Sequence, residues 1–412
     1  MSKVQPIKIG DRKIGPGFPT YVIFEVASTH ANNWKIAKDY VEQAYLAGAD
    51  ALKFQLFTAD GILNPLTPGL KGTYDYFKTA QTPRVWFPKL LKLCKRRGID
   101  LLCTPFDLDA ASFLNEIGIP AVKVASGELT NHQLLTHVAK FKKPVILSTG
   151  MATVSEIREA VAVLTKIGCR DLILLQCVSV YPTSFEDANV RAMQTLKKKF
   201  NTVVGYSDNG SEGMLVPLMS VAMGASIIEK HVTSQKRRGN LDDKFSMNVS
   251  EFKKMVKKIR EIEKIPDKDR VLVELKKHYK KDFDKALGDG VKRPAPHGTR
   301  ITHPGIKGLF IQKEADERRW ARRGIYPSQM IKKGTKIKPD MLVSLRPDVG
   351  VSALELVSII GLRAEDDLPA KHPIKIVGSK VKLFRKSDIR KTYTAVQDAQ
   401  FVKTLEEGAA FD

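Results

Sequence analysis

The chain has 412 residues, 43% of them hydrophobic, and a formal net charge of +23. That length holds a barrel of roughly 250 residues and a second, smaller unit, and no apolar run approaches the length of a membrane span. The basicity, pI ≈ 9.7, raises nucleic acid as a partner, but the basic residues cluster in Lys253 to Lys285, Arg318 to Arg323 and Lys332 to Lys338 without a nucleic-acid-binding motif, and the charge reads as solubility and a general attraction for anions.

In chain order, Ile7 to Ile14 alternates around Gly10 and Asp11 like a hairpin suited to plug the bottom of a barrel. Eight near-continuous apolar runs follow: Tyr21 to Ala27, Ala51 to Phe57, Ile99 to Cys103, Ala121 to Ala125, Pro144 to Ser148, Leu172 to Val178, Thr202 to Tyr206 and Ser226 to Val232. Such runs suit parallel strands covered on both faces. Between them Lys35 to Ala47, Val85 to Arg97, Ser155 to Lys166 and Gly213 to Met223 repeat apolar residues every three or four positions, as on helices with one buried stripe. The alternation and the count of eight predict an α/β fold, a (β/α)8 TIM barrel over residues 1–265. Its last helix should end near Glu263; residues 266–321 read as a linker with one or two short helices and a proline- and glycine-broken piece at Lys292 to Pro296. A compact unit is expected over 322–384 and a polar tail over 385–412.

Cys94, Cys103, Cys169 and Cys177 have neither CxxC pairing nor zinc-ligand spacing, so buried thiols in a reducing cytoplasm are expected. The first 17 residues carry no apolar signal core.

In barrels of this class the carboxyl ends of the strands form the site. Here those ends carry Glu25 and His30, Lys53 and Gln55, Thr104 and Asp107, Lys123, Ser126 and Glu128, Ser148 and Thr149, Tyr181, Ser207, Asp208 and Asn209, and Glu229 to His231. Lysines aimed into an apolar barrel need anionic partners. Lys123, Ser126, Thr104 and Ser148 outline an anion pocket, Lys53 adds a second cation for a ligand with two anionic groups, and a glutamate could move a proton. His231 is the metal-ligand candidate, although a lone histidine is more often structural.

The runs Phe24-Glu25, Gly48 to Gln55, Thr104-Pro105-Phe106-Asp107, Lys123 to Glu128, Leu147 to Met151, Cys177 to Pro182, Gly205-Tyr206-Ser207-Asp208 and Glu229-Lys230-His231 resemble the sialic acid synthase family. The likeness covers about Ile7 to Glu263, and Arg322 to about Lys382 resembles that family's antifreeze-protein-like (SAF, β-clip) domain. It implies a cytoplasmic transferase that condenses phosphoenolpyruvate with an N-acylated amino sugar such as N-acetylmannosamine and releases phosphate. It further implies that Thr104, Lys123, Ser126 and Ser148 hold the phosphate, that Ser179 and Ser207 lie near the carboxylate, and that Lys53 adds charge. Gln55, Tyr181 and Asp242 match positions holding the sugar, and Glu25 or Glu128 would carry the proton. A domain-exchanged homodimer would insert Arg346 into the partner's site.

The resemblance also implies a divalent metal, Mn2+ or Mg2+, at His231 and a second histidine, but that second position is Asn209. Gln176, Asp243 and the turn Thr29-His30-Ala31-Asn32 also depart from the family pattern and are expected beside it, on the metal and acceptor side. Other readings are a legionaminic or pseudaminic acid synthase, a synthase with a 6-phosphate acceptor, a Schiff-base aldolase using Lys53 or Lys123, and a non-catalytic partner-binding relative.

Overall fold

Side chains in a strand alternate between its faces, and here that alternation separates a packed wall from a polar interior. A computed structural model describes residues 4–210, 213–237, 240–288 and 312–384, with Tyr393, Val396, Gln397, Val402 and Lys403. Eight parallel strands form the barrel: β1 (Tyr21–Glu25), β2 (Ala51–Leu56), β3 (Asp100–Pro105), β4 (Val122–Val124), β5 (Val145–Ser148), β6 (Leu172–Cys177), β7 (Val203–Asp208) and β8 (Ile227–Thr233). β8 pairs with β1, Ile227 against Tyr21, and with β7, Ile228 against Tyr206, so the sheet closes. The fold is the (β/α)8 barrel that the eight runs predict.

Outward residues such as Val22, Phe24, Leu52, Phe54, Val204 and Ile228 pack under the helices. Inward residues near the bottom, among them Tyr21, Ile23, Ala51, Leu102, Ile146, Ile173 and Ile227, form a separate core with Ile7, Ile9 and Ile14 of the N-terminal hairpin. That hairpin closes the base. Gly205 faces inward on β7, where a Cβ would lie 2.4 Å from the Ile227 carbonyl oxygen, so only hydrogen fits between β7 and β8.

Beyond the last barrel helix, Val249–Glu263, the stretch expected as a linker with one or two short helices opens with two of them. Helices Lys268–Tyr279 and Lys281–Leu287 bury Val271, Leu275, Phe283 and Ala286 in the outer wall, because the 271/275 and 283/286 spacings put each pair on one helix face. The piece Lys292 to Pro296 and most of the tail lie outside the described residues. A helix, Gln312–Ala321, then leads to a small unit. There Gly324–Pro327 pairs antiparallel with Leu342–Leu345, and Arg363–Ala364, Lys380–Leu383 and Ile374–Val377 form a three-stranded sheet. Ile325, Ile331, Ile337, Val351, Leu368, Ile374 and Val381 give it its own core.

Candidate active site

The inward positions nearest the carboxyl ends are polar where the lower ones are apolar. Register sets neighbours across the strands: Glu25 lies beside Lys53, His231 beside Glu25 and Glu229 beside Ser207. Together they line a cavity of about 170 Å³ with Thr104, Lys123, Ser126, Ser148, Ser179, Tyr181, Asn209, Gln55, Asp242 and Arg346.

The buried lysines have the anionic partners that burial demands. Lys53 Nζ is 2.6 Å from Glu25 Oε2 and 3.7 Å from Glu229 Oε2, and Lys123 Nζ is 3.6 Å from Glu229 Oε1. Lys123 also donates to Ser148 Oγ at 2.8 Å, and Lys53 to Thr104 Oγ1 at 3.2 Å. Glu229 was not among the expected catalytic residues, yet it joins both lysines and accepts from Ser207 Oγ at 2.8 Å. Burial pushes the Glu25 carboxyl up to about 7, because the nearby Glu229 charge adds to desolvation and outweighs Lys53. Burial would raise Glu229 as well, but Lys123 and Lys53 outweigh it and hold that carboxyl at about 2. Two carboxylates in one barrel are thus held apart, one near neutrality and one as a fixed anion.

Around the anion pocket, Ser126 Oγ accepts from Gly150 N at 3.0 Å, and Ser179 Oγ is buried without a hydrogen-bond partner. A Cβ on Gly150 would come 2.4 Å from Ser179 Oγ and 2.8 Å from Ser126 Oγ, so glycine lets these hydroxyls converge. On the other side Gln55 Nε2 donates to Glu25 Oε1 at 3.1 Å, and Asp242 accepts from Ser28 N at 2.8 Å and from the Ser28 hydroxyl. Tyr181 stands at the mouth, 45% exposed.

Glu128 differs from its expected role. It is fully buried, 2.7 Å from Arg323 Nε and 3.1 Å from Arg346 Nη2, and accepts from Asn131 Nδ2 at 2.9 Å. Burial would raise this carboxyl, but the two guanidiniums hold it below the usual range, and it does not line the cavity. It anchors Arg346 and does not fit the part of proton carrier. Arg346, expected from a partner subunit, reaches the barrel of its own chain here and also lies over the Trp320 ring at 5.2 Å.

The four departures from the family pattern do not assemble at the site as expected. Gln176 follows inward-facing Leu175 on β6, so it points outward, and its Nε2 donates to Ala188 O at 3.4 Å. Asp243 pairs with Arg237 at 3.3 Å and accepts from Thr233. His30 is a core residue bonded to Thr82 Oγ1 at 2.9 Å and packed edge-on to Trp86. Of the residues singled out as departures, Asn209 alone lines the cavity.

For a metal ion, His231 presents a buried Nδ1 without a hydrogen-bond partner, and burial lowers its pKa to about 3, so the ring is neutral and able to ligate. Asn209 spends its Nδ2 on Val178 O at 2.7 Å and Cys177 Sγ at 3.4 Å, which leaves its amide oxygen as the available donor. Among the described residues no group of three or more His, Cys, Asp and Glu side chains is spaced to hold a metal. One imidazole and one neutral amide fit a weakly held hard cation that completes its shell with water and substrate oxygens.

Residues 40–270 match the model of the NeuB family. The chain is 38% identical to an uncharacterized protein of Methanocaldococcus jannaschii across 88% of this chain and 96% of that one. It is 32% identical to the N,N'-diacetyllegionaminic acid synthase of Legionella pneumophila, covering 88% of this chain and 95% of that one. Among solved structures, the spore coat polysaccharide biosynthesis protein SpsE of Bacillus subtilis superposes with a TM-score of 0.74 at 28% identity, covering 92% of this chain and 100% of that one.

Proposed function

Because the chain belongs to the NeuB family, we propose that it condenses phosphoenolpyruvate with an N-acylated amino sugar and releases phosphate, as a nonulosonate synthase. The observation that carries this reading is the pair of buried lysines, Lys53 and Lys123, converging with the Thr104, Ser126 and Ser148 hydroxyls on one pocket. A ligand with both a phosphate and a carboxylate matches that set, with Ser179 and Ser207 on the carboxylate side. The relatives support the same class of reaction.

Glu25, raised toward neutrality, gives a proton to the sugar's carbonyl oxygen as carbon 3 of phosphoenolpyruvate bonds to the aldehyde carbon. Positive charge then develops at carbon 2, and the Glu229 carboxylate, fixed as an anion, stabilises it. Water adds there and gives one proton to the Glu25 carboxylate left by the first step; the second proton leaves with the phosphate as its C–O bond breaks and carbon 2 becomes a ketone, while Lys123 holds the departing oxygens. A divalent cation held by His231 and the Asn209 oxygen would supply Lewis-acid polarisation.

The cavity's apolar surface favours an acylated sugar. The wall of the cavity as a whole includes Phe57, Tyr76, Phe77, Phe106, Phe245 and Trp320. Acetamido methyls would find aromatic faces on this wall. We therefore assign a bacillosamine-derived diacetamido sugar, as for a legionaminic or pseudaminic acid synthase, ahead of N-acetylmannosamine. The test is phosphate release with N-acetylmannosamine, its 6-phosphate and the diacetamido sugars as acceptors. The highest kcat/KM should belong to a diacetamido sugar, and preference for the 6-phosphate would overturn the assignment.

Two further parts belong to the proposal. The unit 322–384 is taken as an antifreeze-like domain. A homodimer in which that domain is exchanged would supply the Arg346 to Glu128 contact between chains.

A further inference from the structure

We infer that the helix Gln312–Ala321 and the arginines after it build the phosphoenolpyruvate pocket, with Glu314 as a positioning residue that holds two of its loops. This inference rests on the phosphoenolpyruvate reading. Glu314 is fully buried and lies outside the cavity lining, and its Oε1 accepts from Met151 N at 2.8 Å and from Ser179 N at 2.7 Å. Those two amides follow β5 and β6, the strands whose ends carry Ser148 and Ser179. Without that carboxylate, two buried N–H groups in adjacent loops would lose a shared, charge-assisted acceptor.

The residues that follow repeat the pattern on neighbouring loops. Arg318 pairs with Glu156 through both nitrogens, at 2.9 and 2.7 Å, and donates to the Met151 carbonyl. Arg322 donates to Ser126 O at 2.7 Å and to Met151 O at 3.0 Å. Arg323, 1% exposed, donates to Phe106 O and Ser344 O, each at 2.7 Å, and to Gly61 O at 2.8 Å. The loops after β3, β4, β5 and β6 are therefore tied by one short stretch. These loops carry Ser126 and Ser179 and directly follow the strand ends that carry Thr104 and Ser148. Docking of this stretch and formation of the pocket are one event, so each stabilises the other to the same degree.

The test uses the full chain with Glu314→Ala, Glu314→Asp and Glu314→Gln. Glu314→Ala should raise the KM for phosphoenolpyruvate by about tenfold or more, the effect of a lost charge-assisted contact, and leave the KM of the acceptor sugar within about twofold. Glu314→Asp, too short to reach both amides, should give the same selective rise, which keeps the test available if the alanine variant fails to fold. Glu314→Gln retains an acceptor oxygen and should recover most of the loss. Equal rises in both KM values, no rise for phosphoenolpyruvate, or a glutamine variant no better than alanine would each overturn the inference. Calorimetry separates the two levels. A wild-type chain that binds no phosphoenolpyruvate defeats the underlying reading, whereas wild-type and Glu314→Ala chains that bind it equally well defeat only the part given to Glu314.

Discussion

Lys123 and Glu25 carry the sharpest consequences at the scale of single residues. Lys123 lies 2.8 Å from Ser148 Oγ in the pocket given to the phosphate. Removing a buried cation that binds an anion costs roughly 1.5–3 kcal/mol, so Lys123→Ala should raise the KM for phosphoenolpyruvate by roughly 10- to 150-fold. The KM of the sugar should change little, and steady-state kinetics with each substrate varied in turn decide it. Glu25 is held at about 7 and donates in its protonated form, so kcat/KM should fall as pH rises through about 7. In Glu25→Gln that limb of the pH profile should disappear along with most of the activity. Asn209→His would replace an amide by an imidazole beside His231, and titration calorimetry with Mn2+ should show tighter binding. Unchanged Mn2+ affinity would count against a metal at that corner.

Period-two alternation made most of this site legible in the sequence. Once Tyr21, Ile23 and Ala51 are taken as inward, Glu25, Lys53 and Gln55 must face the interior, and they do. The same rule would have found Glu229, two residues after inward Ile227, and would have excluded Gln176, next to inward Leu175. Other features had no local signal. The Glu128 pairing depends on Arg323 and Arg346, about two hundred residues away in the chain, and spacing within a strand says nothing about such partners. His30 sits in a turn, where no periodicity reports whether a side chain faces the cavity or the core.

At the scale of elements, the eight strands were readable because parallel strands buried on both faces are apolar throughout. The stretch after Glu263 reads as a linker with one or two short helices and not as part of the barrel wall, since charged faces dominate its composition while Val271, Leu275 and Phe283 do the packing. The helix Gln312–Ala321 gives an element-level prediction. Burial would raise the Glu156 carboxyl, but Arg318 outweighs it and holds the group at about 2. Because the folded pKa is depressed, the stabilisation is present above the unfolded value near 4.5 and is lost as pH falls through about 2. The difference amounts to about 3 kcal/mol for this buried pair. Hydrogen exchange in residues 312–323 should therefore quicken between about pH 4 and pH 2, and Glu156→Gln should bring the same change at neutral pH. Exchange unaffected by Glu156→Gln would show that the helix is held by other contacts.

At the scale of the whole molecule, the small unit caps the barrel and delivers Arg346 to the mouth. The barrel motifs resemble the family from end to end, and that resemblance implies an Arg346 delivered from the partner, whereas here it meets Glu128 of its own chain. Mixed dimers decide the matter. If the domain is exchanged, Lys123→Ala and Arg346→Ala chains, each impaired alone at low phosphoenolpyruvate, should regain activity when refolded together, because one barrel then has both groups intact. If Arg346 serves its own barrel, no mixture recovers. The carboxylates and hydroxyls around Lys53 and Lys123 suit anion binding and a Schiff base alike, so what divides a synthase from an aldolase built on the same lysines is whether a covalent adduct forms.

The most direct measurement follows phosphate and keto acid product together, with phosphoenolpyruvate and a diacetamido sugar, and records the protein mass after borohydride treatment. Equal amounts of phosphate and product with an unmodified protein are predicted. Absence of phosphate release with every acceptor, or a borohydride-trapped adduct on Lys53 or Lys123, would contradict the account.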